Sequence, residues 1–168
     1  DLRTWRARNY KKNYSFMSTK GGGAVLDLIH DINYPSWILE EPISLLKGFV
    51  ERTALFDMRS EAFSEGIFES KNKTLVSVHQ DYIQPVKRRY CEIVGTRGTL
   101  LWDSITPGQL QVLSPNVPQE IKPVALNDMY ADELSFFMGK VSEGSGYSNF
   151  SEGACDLKNA LALKKYDR

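Results

Sequence analysis

The feature that most constrains the fold is a change of period in the middle of the chain. "ISLLKGFVERTALF", "EAFSEGIFES", "KTLVSVHQDYI", "RRYCEIVG" and "GTLLWDS" are short segments rich in β-branched and aromatic residues, parted by turn signals. Ser70 to Lys73, around Asn72, and Gly95 to Gly98 ("GTRG") each fit a hairpin turn. Strands joined by such short turns must run antiparallel, and the spacing leaves no room for crossover helices. A doubly wound parallel sheet is therefore excluded.

Helical patterns flank these strands. Residues 24–39 are expected to form one helix, with Leu26, Ile29 and Trp37 and also Leu28, Ile32 and Leu39 as apolar positions. Pro35 lies within it and predicts a kink or a restart. "NDMYADELSFFMGKV" places Tyr130, Leu134, Phe137 and Val141 on one stripe, with Asn127 or Asp128 as N-cap. After a Gly/Ser-rich loop over 143–149, Ser151 is placed as the cap of a last helix through Leu157, Leu161 and Lys165. Residues 2–9 read as a strand and 10–20 as a polar, basic loop. The expectation is an α+β fold, with an antiparallel sheet and helices packed on one face.

With 168 residues the chain suits one domain with a real core. Its 42% apolar and 25% charged residues are ordinary for a globular protein. A formal net charge of zero argues against a nucleic-acid binder. That also weakens the basic-aromatic group of Lys87, Arg88 and Arg89 with Tyr82 and Tyr90. No apolar run approaches the roughly 18 residues a membrane span needs, so no membrane partner is expected. Cys91 and Cys155 show no metal-ligand spacing, no metal site is expected, and two reduced thiols fit a cytoplasmic location. Because the chain opens at Asp1, it is expected to be a piece of a longer protein.

The chemistry-bearing stretch is "KGGGAVLDLIHDINYPSW", residues 20–37. In a continuous helix Asp27 and His30, at i and i+3, share a face. A carboxylate beside an imidazole can orient it for general acid–base work. The spacing fits equally an aspartate favoured near a helix N-terminus beside an incidental polar histidine. Gly21, Gly22 and Gly23 either let backbone approach a ligand closely or form a flexible connector. His79 and Asp81 alternate with the face carrying Val76, Val78 and Tyr82, which places them on the open side of the sheet. "GTRG" joins two strands and lacks a following Lys-Ser/Thr, so it is a hairpin and not a phosphate loop. No strand-GxGxxG-helix fingerprint is present.

"GGGAVLDLIHDINYPSWILEEP", then "SVHQDYIQPVKRRYCEIVGTRGTLLWD" and "MYADELSFFMGKVSEG", resemble in order the C-terminal domain of the glucose–fructose oxidoreductase, inositol dehydrogenase and rhizopine-catabolism (Gfo/Idh/MocA) family. The resemblance covers nearly the whole chain. It implies a single substrate-binding and oligomerisation domain, residues 1–168, built on an open-faced, mainly antiparallel sheet. It also implies an N-terminal Rossmann domain, absent from this chain, that mainly holds NAD or NADP. The reaction implied is hydride transfer between nicotinamide and a hydroxyl carbon of a sugar, nucleotide sugar or cyclitol. His30 would exchange the hydroxyl proton, Asp27 would orient it or bind a substrate hydroxyl, and Gly21, Gly22 and Gly23 would pass close to the cofactor. Alone, the chain is not expected to catalyse, and it is expected to form a homo-oligomer through the open sheet face.

Departures from the family pattern accompany the resemblance. The pair is spaced Asp-x-x-His, Asp31 replaces a glutamate, Asn33 an aspartate, Pro35 a helix-compatible residue and Glu40 a glycine. The competing reading is a non-catalytic, stand-alone binding or assembly module that retains the sheet.

Overall fold

The computed structural model describes residues 1–6, 9–55, 57–124, 128–144 and 149–166. Contacts divide the chain into two compact units, one of residues 1–85 with the C-terminal helix and one within 86–147.

The first unit opens with a one-turn helix, α1 (Leu2–Trp5), where a strand was expected. The Asp1 carboxylate accepts the Arg3 amide and so caps the turn, a local bond that an extended chain would not make. Ala7 and Arg8, toward the end of the expected strand, lie outside the described residues. Three consecutive 3-10 turns, Tyr10–Lys12, Tyr14–Phe16 and Ser18–Lys20, carry the chain to the glycines.

Two helices follow instead of one, α2 (Ala24–Asp27) and α3 (His30–Leu39). The break falls at Leu28 and Ile29, not at Pro35, which sits within α3. Leu28 leaves helical geometry at φ −108° and ψ 27°, and the Gln80 side-chain amide donates to its carbonyl at 2.6 Å. A sheet residue 52 positions away thus captures a backbone acceptor at the break. α3 stops at Glu40, which takes the left-handed conformation, φ 55° and ψ 28°, where glycine is usual.

Strands β1 (Ile43–Glu51), β2 (Phe63–Ser70) and β3 (Leu75–Asp81) form an antiparallel sheet in that order. The expected hairpin joins β2 to β3. Ile43 and Val50 both point into the core, although seven residues apart they should face opposite sides. A register shift between Leu45 and Lys47 absorbs the extra residue at Leu46 and restores the inward phase.

Helix α5 (Phe150–Lys164) lies on the inner face. Gly48 and Gly66 are paired across β1 and β2, and a Cβ on either would collide with a side chain beneath the helix. At Gly48 it would come 2.4 Å from Leu163 Cδ1, so the paired glycines admit the Leu163 side chain. Val25, Ile32, Ile43, Val50, Phe68, Val78, Ala160 and Leu163 make the main core, and Leu2, Ala24, Met58, Ala62 and Tyr82 a second cluster.

The buried face of α5 is Asp156, Asn159, Ala160 and Leu163, whereas the expected Leu157 and Leu161 stay about half exposed. Ser151 lies inside the helix and Asn149 is its N-cap. The Asn159 amide explains the choice of face. It donates to the Ile43 carbonyl at 2.8 Å and accepts the Leu45 amide at 3.2 Å, satisfying β1 just before its bulge. Asp156 accepts from Asn33 Nδ2 at 2.7 Å and ties α5 to α3.

The second unit is a four-stranded antiparallel meander, β4 (Tyr90–Gly95), β5 (Gly98–Asp103), β6 (Gln109–Ser114) and β7 (Val117–Pro123). The "GTRG" hairpin joins β4 to β5 as expected. β6 and β7 carry no expectation from the sequence; β7 holds Pro118 and Pro123, which an edge strand tolerates and a central one does not. Helix α4 (Met129–Ser142) starts at Asp128, whose carboxylate accepts the Tyr130 and Ala131 amides. Asn127, the other cap considered, lies outside the described residues. Tyr130, Leu134, Phe137 and Val141 are all exposed. The architecture is α+β with wholly antiparallel pairing among the described strands, as expected.

Candidate active site

The three glycines differ sharply in surroundings. Gly21 is exposed at φ 78° with open space beyond its Cα. Gly22 is buried, and a Cβ there would lie 2.3 Å from the Tyr14 carbonyl and 2.6 Å from that of Ser15. Gly23, at φ 112°, would press a Cβ against Glu61 Oε1 at 2.4 Å. Close approach at Gly22 and Gly23 is therefore approach by this chain's own atoms.

Glu61 organises the turn into α2. Its backbone carbonyl accepts the Ala24 amide at 3.0 Å and its carboxylate accepts the Val25 amide at 3.3 Å. Those amides open the helix and would otherwise be buried without partners. Lys164, near the end of α5, donates to both Glu61 oxygens at 2.8 and 2.9 Å and to the Gly22 carbonyl at 3.3 Å. The Glu61 side chain is 2% exposed, so this ion pair works largely out of water.

Asp27 ends α2 with its side chain 2% exposed. Tyr82 Oη donates to Asp27 Oδ2 at 2.7 Å, and Arg6 Nη2 lies 3.9 Å from Oδ1. Arg6 Nη2 also donates to Tyr14 Oη at 3.2 Å. Burial, then the hydrogen bond and charge of Asp27, push the Tyr82 phenol far above its ordinary value, so it remains a proton donor to the carboxylate. Hydrogen bonding to Asp27, with burial and the same charge, raises Tyr14 as well.

His30 stands apart from this network. It is the first residue of α3, it is exposed, and its ring stacks on Tyr34 with centroids 6.4 Å apart. The helix break ends the shared face expected of Asp27 and His30, because the residues belong to different helices. Asp27 bonds inward and His30 looks outward. Tyr82, Arg6, Tyr14, Glu61 and Lys164 were not anticipated at the site. A signal existed for Tyr82, since a tyrosine on an inward strand position needs a partner for its hydroxyl. The charged partners come from distant segments and leave no comparable local trace.

A second polar group occupies the outer face of the first sheet. His79 Nδ1 lies 2.6 Å from Glu65 Oε1 and its Nε2 2.9 Å from Asp81 Oδ2, with Phe63 edge-on at 5.0 Å. Burial lowers the His79 pKa, but hydrogen bonds and charge from Glu65 and Asp81 outweigh that and hold it above 6.5. Its position on the open face agrees with the alternation in the sequence. Among the described residues no three side chains are grouped to hold a metal, and no helix is long and apolar enough to cross a membrane.

Comparison with known proteins places this arrangement in context. A family model described as the GFO/IDH/MocA C-terminal domain matches residues 1–101. The 3-ketoreductase KijD10 from Actinomadura kijaniata, solved with NADP and TDP-benzene, aligns with a TM-score of 0.74 at 16% identity. That alignment covers 93% of this chain and 49% of KijD10. UDP-N-acetylglucosamine 3-dehydrogenase GnnA from Acidithiobacillus ferrooxidans gives a TM-score of 0.72 at 16% identity, over 86% of this chain and 46% of its own. At such identities the likeness is one of fold, and the chain spans about half the length of these structures. No curated protein matches. With more than half of its 168 residues matched by that family model, the chain belongs to the GFO/IDH/MocA C-terminal domain family.

Proposed function

We propose that this chain is the substrate-side half of an NAD(P)-dependent oxidoreductase that acts on a hydroxyl of a sugar, nucleotide sugar or cyclitol. The observation that carries the reading is an exposed imidazole, His30, that opens α3 just after the break, where Gln80 holds the Leu28 carbonyl and Tyr82 holds Asp27 at the end of α2. A general base must reach solvent-side substrate while its backbone stays still. The nicotinamide, when held by a Rossmann domain, supplies the hydride acceptor. His30 takes the hydroxyl proton as the carbon gives up its hydride and the carbonyl forms; in the reverse direction it returns that proton.

Asp27 is a positioning residue in this scheme. Both its oxygens face Tyr82 and Arg6 at 2% exposure, which leaves it to hold the end of α2 and not to bind a substrate hydroxyl. Of the glycines, Gly21 fits close passage of a flat ring, since open space lies beyond it. Gly22 and Gly23 contribute by letting the turn pack against residues 14–17 and Glu61. The test is nicotinamide reduction by the intact protein across free sugars, cyclitols and nucleoside diphosphate sugars. Turnover with one class supports the reading, and none with any class overturns it.

The open sheet face supports self-association as part of the same proposal. Phe49, Ile67 and Leu75 are exposed there beside the His79 group. Apolar residues so placed favour a partner, and a second copy offers a self-complementary one. Light scattering of the intact protein at high micromolar concentration should give at least a dimer; a monomer would count against it.

A further inference from the structure

The break between α2 and α3 has no local cause. Leu28 alone leaves helical geometry, at φ −108° and ψ 27°, while Ile29 is already back in it at φ −55° and ψ −23°. Neither residue is a glycine or a proline, and leucine is among the better helix formers. Left to itself, such a segment runs on as one helix. The Leu28 backbone lies near the sparsely allowed bridge region, so a contact from outside the segment must hold it there.

Gln80 supplies that contact. Its side-chain Nε2 donates to the Leu28 carbonyl at 2.6 Å. The same carbonyl accepts the Asp31 amide at 3.0 Å, and the Ile32 amide, its donor in a continuous helix, bonds the Ile29 carbonyl at 3.0 Å. Gln80 is 1% exposed and cannot trade its bond for one to water. Opposite it on β2, the fully buried Ser64 donates from Oγ to Gln80 Oε1 at 2.9 Å. A carbonyl at one end and a hydroxyl at the other thus fix which way the amide points.

The consequence falls on His30. Tyr82, two residues beyond Gln80 on the inner face of β3, holds Asp27 inward. In an unbroken helix, residues three apart point about 60° from each other, so His30 would follow Asp27 toward the interior. One non-helical residue between them lets the Asp27 side chain stay 2% exposed while His30 faces out.

We propose that Gln80, backed by Ser64, is a positioning residue for the proton exchange at His30: its grip on the Leu28 carbonyl sets the direction in which the imidazole faces. This role rests on the reading of His30 as the group that meets the substrate hydroxyl. The Leu28 side chain also packs against the second core cluster, and a break held by that packing alone would not need Gln80.

The experiment compares the intact protein as wild type, Ser64→Ala, Gln80→Met and Ser64→Ala/Gln80→Met. Methionine keeps the length of the side chain and gives up the donor. The double variant leaves no stranded hydroxyl beside it and, with its melting point checked, guards against simple unfolding. Diethyl pyrocarbonate modification followed by mass spectrometry reads the accessibility of each imidazole. The chain has two histidines, so His79 is the internal reference. Relative to His79, His30 should react several-fold more slowly in Gln80→Met. The transfer step should slow by about 10- to 100-fold with cofactor affinity unchanged, the scale of an ångström-sized misplacement. Ser64→Ala should show a smaller effect in the same direction, and the double variant no more than Gln80→Met, because both residues act through one carbonyl. Equal His30 reactivity in wild type and Gln80→Met overturns the proposal and assigns the break to Leu28 packing. Slower modification with an unchanged transfer rate overturns it as well, since the direction of His30 would then not matter to the reaction. A wild type without turnover on any substrate class would sink the reading of His30 and the positioning role with it; the modification rates, which need no turnover, tell that failure from a failure of the break.

Discussion

Replacing Lys164 with methionine isolates the contact that holds the candidate active site to the C-terminal helix. Lys164 Nζ spans both Glu61 oxygens at 2.8 and 2.9 Å, and Glu61 is 2% exposed against 26% for the lysine. Lys164→Met keeps most of the buried stem and leaves a buried carboxylate that still accepts the Val25 amide but has lost its cation. Breaking a buried pair from one side costs about 3–5 kcal/mol, and partial exposure of the lysine places the expectation near about 3 kcal/mol. That is a large share of the roughly 5–15 kcal/mol that stabilises a domain, and amounts to about 10 °C in melting temperature. Urea denaturation followed by circular dichroism measures it. Glu61→Gln/Lys164→Met should recover most of the loss, because the stranded charge has gone. Hydrogen exchange should quicken at Ala24 and Val25 in the single variant, where Glu61 accepts the amides. A loss below about 0.5 kcal/mol for the single variant would place the pair among screened surface contacts and refute the reasoning.

Three further outcomes follow from other contacts. Asn159→Ala strands the Ile43 carbonyl and the Leu45 amide, and should cost about 2–6 kcal/mol by chemical denaturation, roughly 1–3 kcal/mol for each buried group. Glu40→Gly should stabilise by about 0.5–1 kcal/mol, since relief of a left-handed residue exceeds the added entropy of glycine; destabilisation would show that the Glu40 side chain matters more than its φ. For His79 the folded pKa is raised, so the stability it contributes is full below about pH 6.5 and lost as pH rises through the folded value. His79→Gln should flatten that slope, by less than about 1 kcal/mol because the group is over a third exposed.

Much of the fold was legible wherever local pattern and final packing agree. Alternation located β1 to β5 and both hairpins, and placed His79 outside and Tyr82 inside. It missed β6 and β7, where Pro118 and Pro123 carry an edge-strand meaning visible only once the sheet exists. The break between α2 and α3 was placed at Pro35, yet the Leu28 carbonyl there is taken by Gln80, a partner from a strand distant in sequence. Helix α5 was assigned its apolar stripe, while its buried face is chosen by Asn159 and Asp156 bonding to β1 and α3. The glycine missing at position 40 was noted as a departure from the family, and its consequence is a glutamate in left-handed geometry.

At the candidate site the geometry expected from the sequence is not the one that forms. Asp27 and His30 were singled out by a helical spacing that the helix break removes. What replaces a carboxylate–imidazole pair is a division of labour, with Asp27 buried among Tyr82 and Arg6, and His30 exposed on the next helix. Glu61 and Lys164 lie 103 positions apart, so neither predicts the other.

The central claim is that His30 exchanges the substrate proton during hydride transfer. Single-turnover reduction of the nicotinamide by the intact protein, wild type against His30→Ala, tests it most directly. The account predicts a fall of about 10²–10⁴ in the rate of the transfer step with cofactor affinity unchanged. Transfer at the wild-type rate in His30→Ala would contradict it.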